Sequence, residues 1–229
     1  MKFDLNFNII KSTLQKSILS KIFLVLIAVD LFFVLLHFYY FICDDYNKMY
    51  LISEDGSYAE FFQYLKEIIL FILLIISSLK YKSKHLGVWA FLFIYLFLDD
   101  SLSIHENFEH WFLNDPEYIE INGIPIKDAY QLIPTAIFGF VFMMGFYFTY
   151  SDILVKKIKI LSQALLISLV MLAFFGVLLD LIQGIGDIGG RVKAIFDLSE
   201  DFGEMIVMSL MLALAVNFNN AKIIDDKKV

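Results

Sequence analysis

The residues best equipped for chemistry lie in one stretch, Asp99-Asp100-Ser101-Leu102-Ser103-Ile104-His105-Glu106-Asn107-Phe108-Glu109-His110, at the end of an apolar run. On a continuous helix turning about 100° per residue, Asp99, Ser103, Glu106 and His110 fall within roughly 60° of one another. That face offers two carboxylates, a hydroxyl and an imidazole. His105 lies about 120° from Asp99, and Asp100 about 100° to the other side. His105 is therefore expected to meet another neighbour, such as the last helix, unless the helix bends or unwinds near Ser101–Ser103. A second acidic stripe, Asp197, Glu200, Asp201 and Glu204, opens the last apolar run. Further polar residues interrupt the other runs: Asp180 with Gln183, Glu60 with Gln63, Lys66 and Glu67, and Asp30 with His37.

The elements that must position these groups follow from composition. The chain has 229 residues, of which 59% are hydrophobic, 17% aromatic and only 19% charged. Soluble domains carry roughly 45–50% apolar and about 25% charged residues, and the mean hydropathy of +0.72 points the same way. A soluble enzyme is excluded, and so is disorder, given 25 Phe and 12 Tyr. The net charge of −7 and the lack of a basic patch exclude nucleic acid as a partner. One cysteine, Cys43, excludes an intrachain disulfide and a thiolate metal site.

A membrane helix needs about 20 mostly apolar residues. Six segments qualify: 22–43, 59–79, 86–110, 129–150, 160–183 and 196–217. The expected fold is an all-α polytopic bundle of six transmembrane helices. Residues 1–20 are expected to form an amphipathic interfacial helix, because Phe3, Phe7, Ile10, Leu14 and Ile18 recur at helical spacing without a signal-peptide pattern. Residues 21–218 then form the six-helix domain and 219–229 a cytoplasmic tail. Thirteen Lys fall in the loops and tails of one side, and three Lys and Arg191 on the other; Lys66, inside a span, completes the eighteen basic residues. The split alternates at every loop, which predicts cytoplasmic termini in a bacterial inner membrane. Asn122-Gly123 predicts a hairpin with Pro125 on an edge strand, and Gly184 to Arg191 a Gly-rich flexible turn.

In this frame Asp99 sits about 20 Å above the inner end of its helix, in the outer half of the bilayer. Five of the six helices deliver polar groups to that depth, and none of these groups is expected in the inner half. Each carboxylate there costs about 2.5–3.5 kcal/mol on insertion scales, so a compensating partner is needed. Three readings stand open: charges solvated at helix ends, a divalent-metal site of Zn, Fe or Mn, and a proton or cation pathway.

The run from Phe97 to Glu106 resembles an uncharacterised family of bacterial multi-pass membrane proteins. Their third span reads Leu-Ser-Leu-Asp-Glu, four variable residues, His-Glu, and their last span Glu-Glu-x-x-Glu. The matching positions are Asp99, Asp100, His105 and Glu106, then Glu200, Asp201 and Glu204, with Asp180 at an acidic position of the fifth span. Asp100 and Asp201 depart from the favoured Glu. Ser101-x-x-x-His105 is similar to membrane hydrolases related to alkaline ceramidases, but their late His-x-x-x-His pair has no counterpart after His110.

The expectation is thus an integral membrane protein with a buried acidic and histidine site. Asp99, His105, Glu106, Asp180, Glu200 and Glu204 are the expected metal ligands. Asp100, Ser103, His110, Asp201 and Asp197 are expected to flank them. The chemistry would be hydrolytic or redox. The alternative is a non-enzymatic protein that conducts protons or cations, senses, or assembles. Expected partners are the lipid bilayer and a second copy or other membrane protein.

Overall fold

The computed structural model describes residues 17–43, 47–108, 120–121, 124–179, 182 and 190–220. Six long helices dominate: α1 Ser17–Ile42, α2 Tyr58–Tyr81, α3 Lys84–Leu102, α4 Ile126–Tyr150, α5 Lys156–Ala173 and α6 Gly190–Asn220. All six contain a stretch long and apolar enough to cross a membrane. The predicted all-helical architecture of six such segments is what forms.

Local chemistry sets the helix ends. Ser57-Tyr58-Ala59-Glu60 is a capping box. The Ser57 hydroxyl accepts from Glu60 N–H at 3.2 Å, and the Glu60 carboxylate reaches back to accept from Gly56 N–H. Lys82, with φ of 49°, turns the chain out of α2, and the Ser83 hydroxyl accepts from Leu86 N–H at 3.5 Å to start α3. Between α1 and α2, Lys48 in the 3-10 turn Lys48–Tyr50 donates to Glu54 at 2.6 Å. That bond raises the ammonium pKa above its usual value; the exposed pair adds little to stability.

Several expected boundaries move. α1 begins at Ser17, so the last four residues of the expected interfacial segment belong to the first long helix; residues 1–16 and the tail 221–229 lie outside the described residues. α6 begins at Gly190, which puts Arg191 and Lys193 in its first turn rather than in a loop. The predicted Gly-rich turn otherwise lies outside the described residues. The hairpin forms: β1 Glu120–Ile121 pairs antiparallel with β2 Ile124–Pro125, Ile121 opposite Ile124, although Asn122 and Gly123 themselves are outside the described set. The largest correction is in the third segment. The helix expected to run to His110 stops at Leu102, and Ser103 turns left-handed at φ 45°. A separate short helix, Ile104–Asn107, follows.

The bundle is organised around α6. In its most apolar window 67% of residues are buried, against 11% for α1 and α4. α6 packs on α1, α2 and α5, while α3 packs on α2 and α4. Ala213 and Ala215, both fully buried, let neighbouring helices approach closely. The core joins Leu70 and Leu74 of α2, Trp89 and Phe93 of α3, Phe142 and Phe146 of α4, Leu165 of α5 and Met208 and Met211 of α6. α2 therefore lies between α3 and α6. Its buried stripe, Ala59, Gln63, Lys66, Glu67, Leu70, Leu74 and Ser77, carries four polar side chains into that seam.

Candidate functional site

The break at Ser103 builds the site. Because the chain unwinds there, His105 swings back over the last turn of α3. Its backbone N–H donates to Asp99 Oδ1 at 3.1 Å, and its ring Nδ1 lies 3.1 Å from Asp99 Oδ2. Asp99 is buried and His105 partly so. One donor atom each from Asp99, Asp100 and His105 fall within 4.8 Å of one another. The condition set on His105 is met: the separation of about 120° from Asp99 holds only for an unbroken helix, and the break at Ser103 brings the two together. Of the face expected from Asp99, Ser103, Glu106 and His110, Ser103 is not part of a continuous helix with Asp99. Ser103 instead shapes the break, its carbonyl accepting from Asn107 N–H at 3.0 Å and from the Asn107 amide at 2.8 Å. Glu106 falls in the short helix, but its side chain is outside the described residues, as are His110 and Asp180.

The acids of α6 meet this group from across α2. Glu204 interacts electrostatically with Asp100, Asp201, Glu200 and Lys66. Asp201 interacts electrostatically with Asp197, Glu60 and Asp55 as well as with Glu204. Of the two expected α6 ligands, Glu200 and Glu204, it is Glu204 that interacts with Asp100 of α3; Asp197 and Asp201 were expected to flank them. α2, which sequence reasoning left out of the ligand set, supplies the link. The carboxyl of Glu67 hydrogen-bonds that of Asp100, and the Tyr64 hydroxyl reaches the Asp100 carbonyl at 3.2 Å.

α5 contributes through its backbone. It continues as a π-helix, Phe174–Leu179, an irregularity that recurs at functional sites. A Cβ on Gly176 would overlap the Glu204 carboxylate, and one on Gly203 would strike the Phe175 ring. The two glycines let α5 and α6 close around Glu204. Ala normally outranks Gly in a helix by about 1 kcal/mol. Gly176→Ala is nevertheless expected to destabilise by about 1–3 kcal/mol, because the methyl group must displace Glu204. A melting curve in detergent checks this, and a stabilised variant would place the Glu204 carboxylate elsewhere.

Two polar groups read as site candidates from the sequence have structural roles. Asp30 of α1 is fully buried against Lys66, which donates to Asp30 at 3.2 Å and to the Met205 carbonyl at 2.9 Å; Ser209 donates to Asp30 at 2.6 Å. His37 accepts from Ile52 N–H at 3.2 Å and pins the α1–α2 loop.

His85, near the start of α3, is buried in a directional chain. The Thr149 hydroxyl donates to the Gly145 carbonyl at 2.7 Å, so it accepts from His85 Nδ1–H at 2.9 Å. His85 Nε2 then accepts from Ser162 at 2.6 Å, and Ser162 from Trp89 Nε1–H at 3.1 Å. The chain stitches α3, α4 and α5 together. The buried Trp89 at helical spacing from His85 is the signal that could have found it.

No curated protein matches this chain, and no solved structure does. One family model, described as "Domain of unknown function (DUF8692)", matches residues 65–218, well over half of the sequence. The match begins in α2 just before Lys66 and Glu67 and ends in α6. It therefore spans Asp99, Asp100, His105, Gly176 and Glu204 and leaves out α1 and Glu60. The chain belongs to the DUF8692 family.

Proposed function

We propose that the chain is an integral membrane protein that holds a divalent cation, Zn, Fe or Mn, where α2, α3 and α6 meet. The observation that carries this reading is the group of Asp99, Asp100 and His105, whose donor atoms lie within 4.8 Å of one another. Oxygen donors with one imidazole suit these metals. Glu204, which interacts with Asp100 and Glu200, is a further proposed ligand, as are Glu200, Glu106 and Asp180. Lys66 and His105 are the basic residues that interact with these acids. A cation would offset the excess of negative charge, and once bound it could polarise a substrate or activate water. Membrane insertion is supported by the apolar side chains left uncovered by the bundle, among them Leu24, Leu35, Leu79, Phe140 and Phe148.

Glu204→Gln tests the reading. If a metal is bound, the amide weakens it, and the melting temperature falls towards that of the chelated wild type. If the acids are only crowded, the same change relieves like-charge repulsion and raises stability. A stabilised variant, indifferent to chelator, would end the metal reading.

A second reading, a proton or cation pathway, is favoured by the ionisable groups that follow one another from Asp100 through Glu67 and Glu204 to Lys66 and Asp30. Currents in liposomes that vanish in Glu67→Gln would support it.

The proposed orientation puts the termini in the cytoplasm and the hairpin outside. In a Cys43→Ser background, a cysteine replacing Asn122 is expected to react with an impermeant thiol reagent in whole cells, and one replacing Asp226 is not. The reverse pattern would move the site to the cytoplasmic side.

A further inference from the structure

Glu67 is 1% exposed, yet its Oε2 has no hydrogen-bond partner. One turn earlier on the same buried stripe, Gln63 is 8% exposed and its Oε1 is also unmatched. Buried polar atoms are nearly always satisfied, and an orphan costs about 1–3 kcal/mol. An amide can be turned over so that its nitrogen takes the place of its oxygen, but a carboxylate cannot, so Glu67 is the stronger signal.

Its neighbours leave Oε2 without a donor. Asp100 hydrogen-bonds the Glu67 carboxyl, yet Oε2 stays unmatched, and Glu204 acts on it through charge alone. The nearby ammonium, Lys66, has three N–H groups. These are directed at Asp30, the Met205 carbonyl and Ser209 at 3.2, 2.9 and 3.4 Å. What the pocket lacks is therefore an electron-pair acceptor from outside the chain, beside the group formed by Asp99, Asp100 and His105.

We propose that Glu67 is a direct ligand of the cation held by Asp99, Asp100 and His105, and that Gln63 holds a water bound to that ion. This rests on the metal reading above and adds α2 to the site. It gives a role to the carboxylate buried in the seam between α3 and α6. The arrangement would be closed on two sides by α2 and α3 and on the third by Glu204.

The test uses the full chain in detergent, titrated with Mn2+, with affinity and the electron paramagnetic resonance spectrum of the bound ion as readouts. Glu67→Gln is expected to weaken Mn2+ binding at least about tenfold and to add a water to the ion. Glu67→Asp, which keeps the charge, is expected to recover part of the affinity, a rescue that a purely structural role would not produce. Should Glu67→Gln fold poorly, Glu67→Asp alone still reports, through a changed spectrum. Wild-type affinity and spectrum in both variants, with binding lost in Asp99→Asn, would overturn the role of Glu67 and leave the metal reading standing. No Mn2+ binding by the wild-type chain would overturn both.

Discussion

Lys66→Met is expected to destabilise the folded chain by about 3–5 kcal/mol, the cost of leaving one member of a buried ion pair without its partner. Asp30 is fully buried and Lys66 is 1% exposed. Asp30 keeps only the Ser209 hydroxyl once the ammonium is gone, and Ser209 also loses a neighbour. The double variant Asp30→Leu, Lys66→Met is expected to recover most of the loss, because two apolar side chains of similar volume need no counter-charge. Denaturant unfolding in detergent measures both. A single-variant loss below about 1 kcal/mol would mean that water reaches the pair. The substitution carries a second sign. Lys66 also faces Glu67 and Glu204, so removing its charge should strengthen cation binding, and added Mn2+ should rescue part of the lost stability.

Asp99→Asn is expected to weaken Mn2+ or Zn2+ binding by about 100-fold with no loss of helix. The amide oxygen can still accept the His105 N–H that closes the break at Ser103, now made by Oδ1 at 3.1 Å. What the variant removes is the negative charge and the second oxygen that faces the His105 ring at 3.1 Å. Fold and ligation are thereby separated in one residue. Unchanged affinity with unchanged circular dichroism would show that the Asp99 carboxylate serves only as a cap for the short helix.

The six segments are legible in the sequence, because hydropathy and charge are summed over twenty residues and survive local error. Asn122-Gly123 between the two strands is a local signal that the flanking residues obey, while the Ser57 and Glu60 bonds that cap α2 emerge only with the structure. The site was legible in its residue types and less so in its pairing. A helical wheel assumes an unbroken helix, and nothing in Asp99-Asp100-Ser101-Leu102-Ser103 contains the Gly or Pro that marks a break. The left-handed turn falls on a serine. That single residue decides the relation of His105 to Asp99. Glu67 was visible as a charge in an apolar run, but its importance depends on α2 lying between α3 and α6. That order is set by long-range packing, which no local pattern encodes. Lys66 reads in the sequence as a charge inside a span beside Glu67, and its partner Asp30 stays hidden because it lies on α1, 36 residues away. Gly176 shows itself only through the side chain it admits.

The measurement that bears most directly on the central claim is the divalent-metal content of the purified full chain, taken after loading with Mn2+ or Zn2+ and removal of the excess. The account predicts metal that stays with the wild-type protein at a fixed ratio per chain, leaves with chelator, and is lost in Asp99→Asn. Metal-free wild-type protein after loading, with a melting curve that chelator does not move, would contradict it.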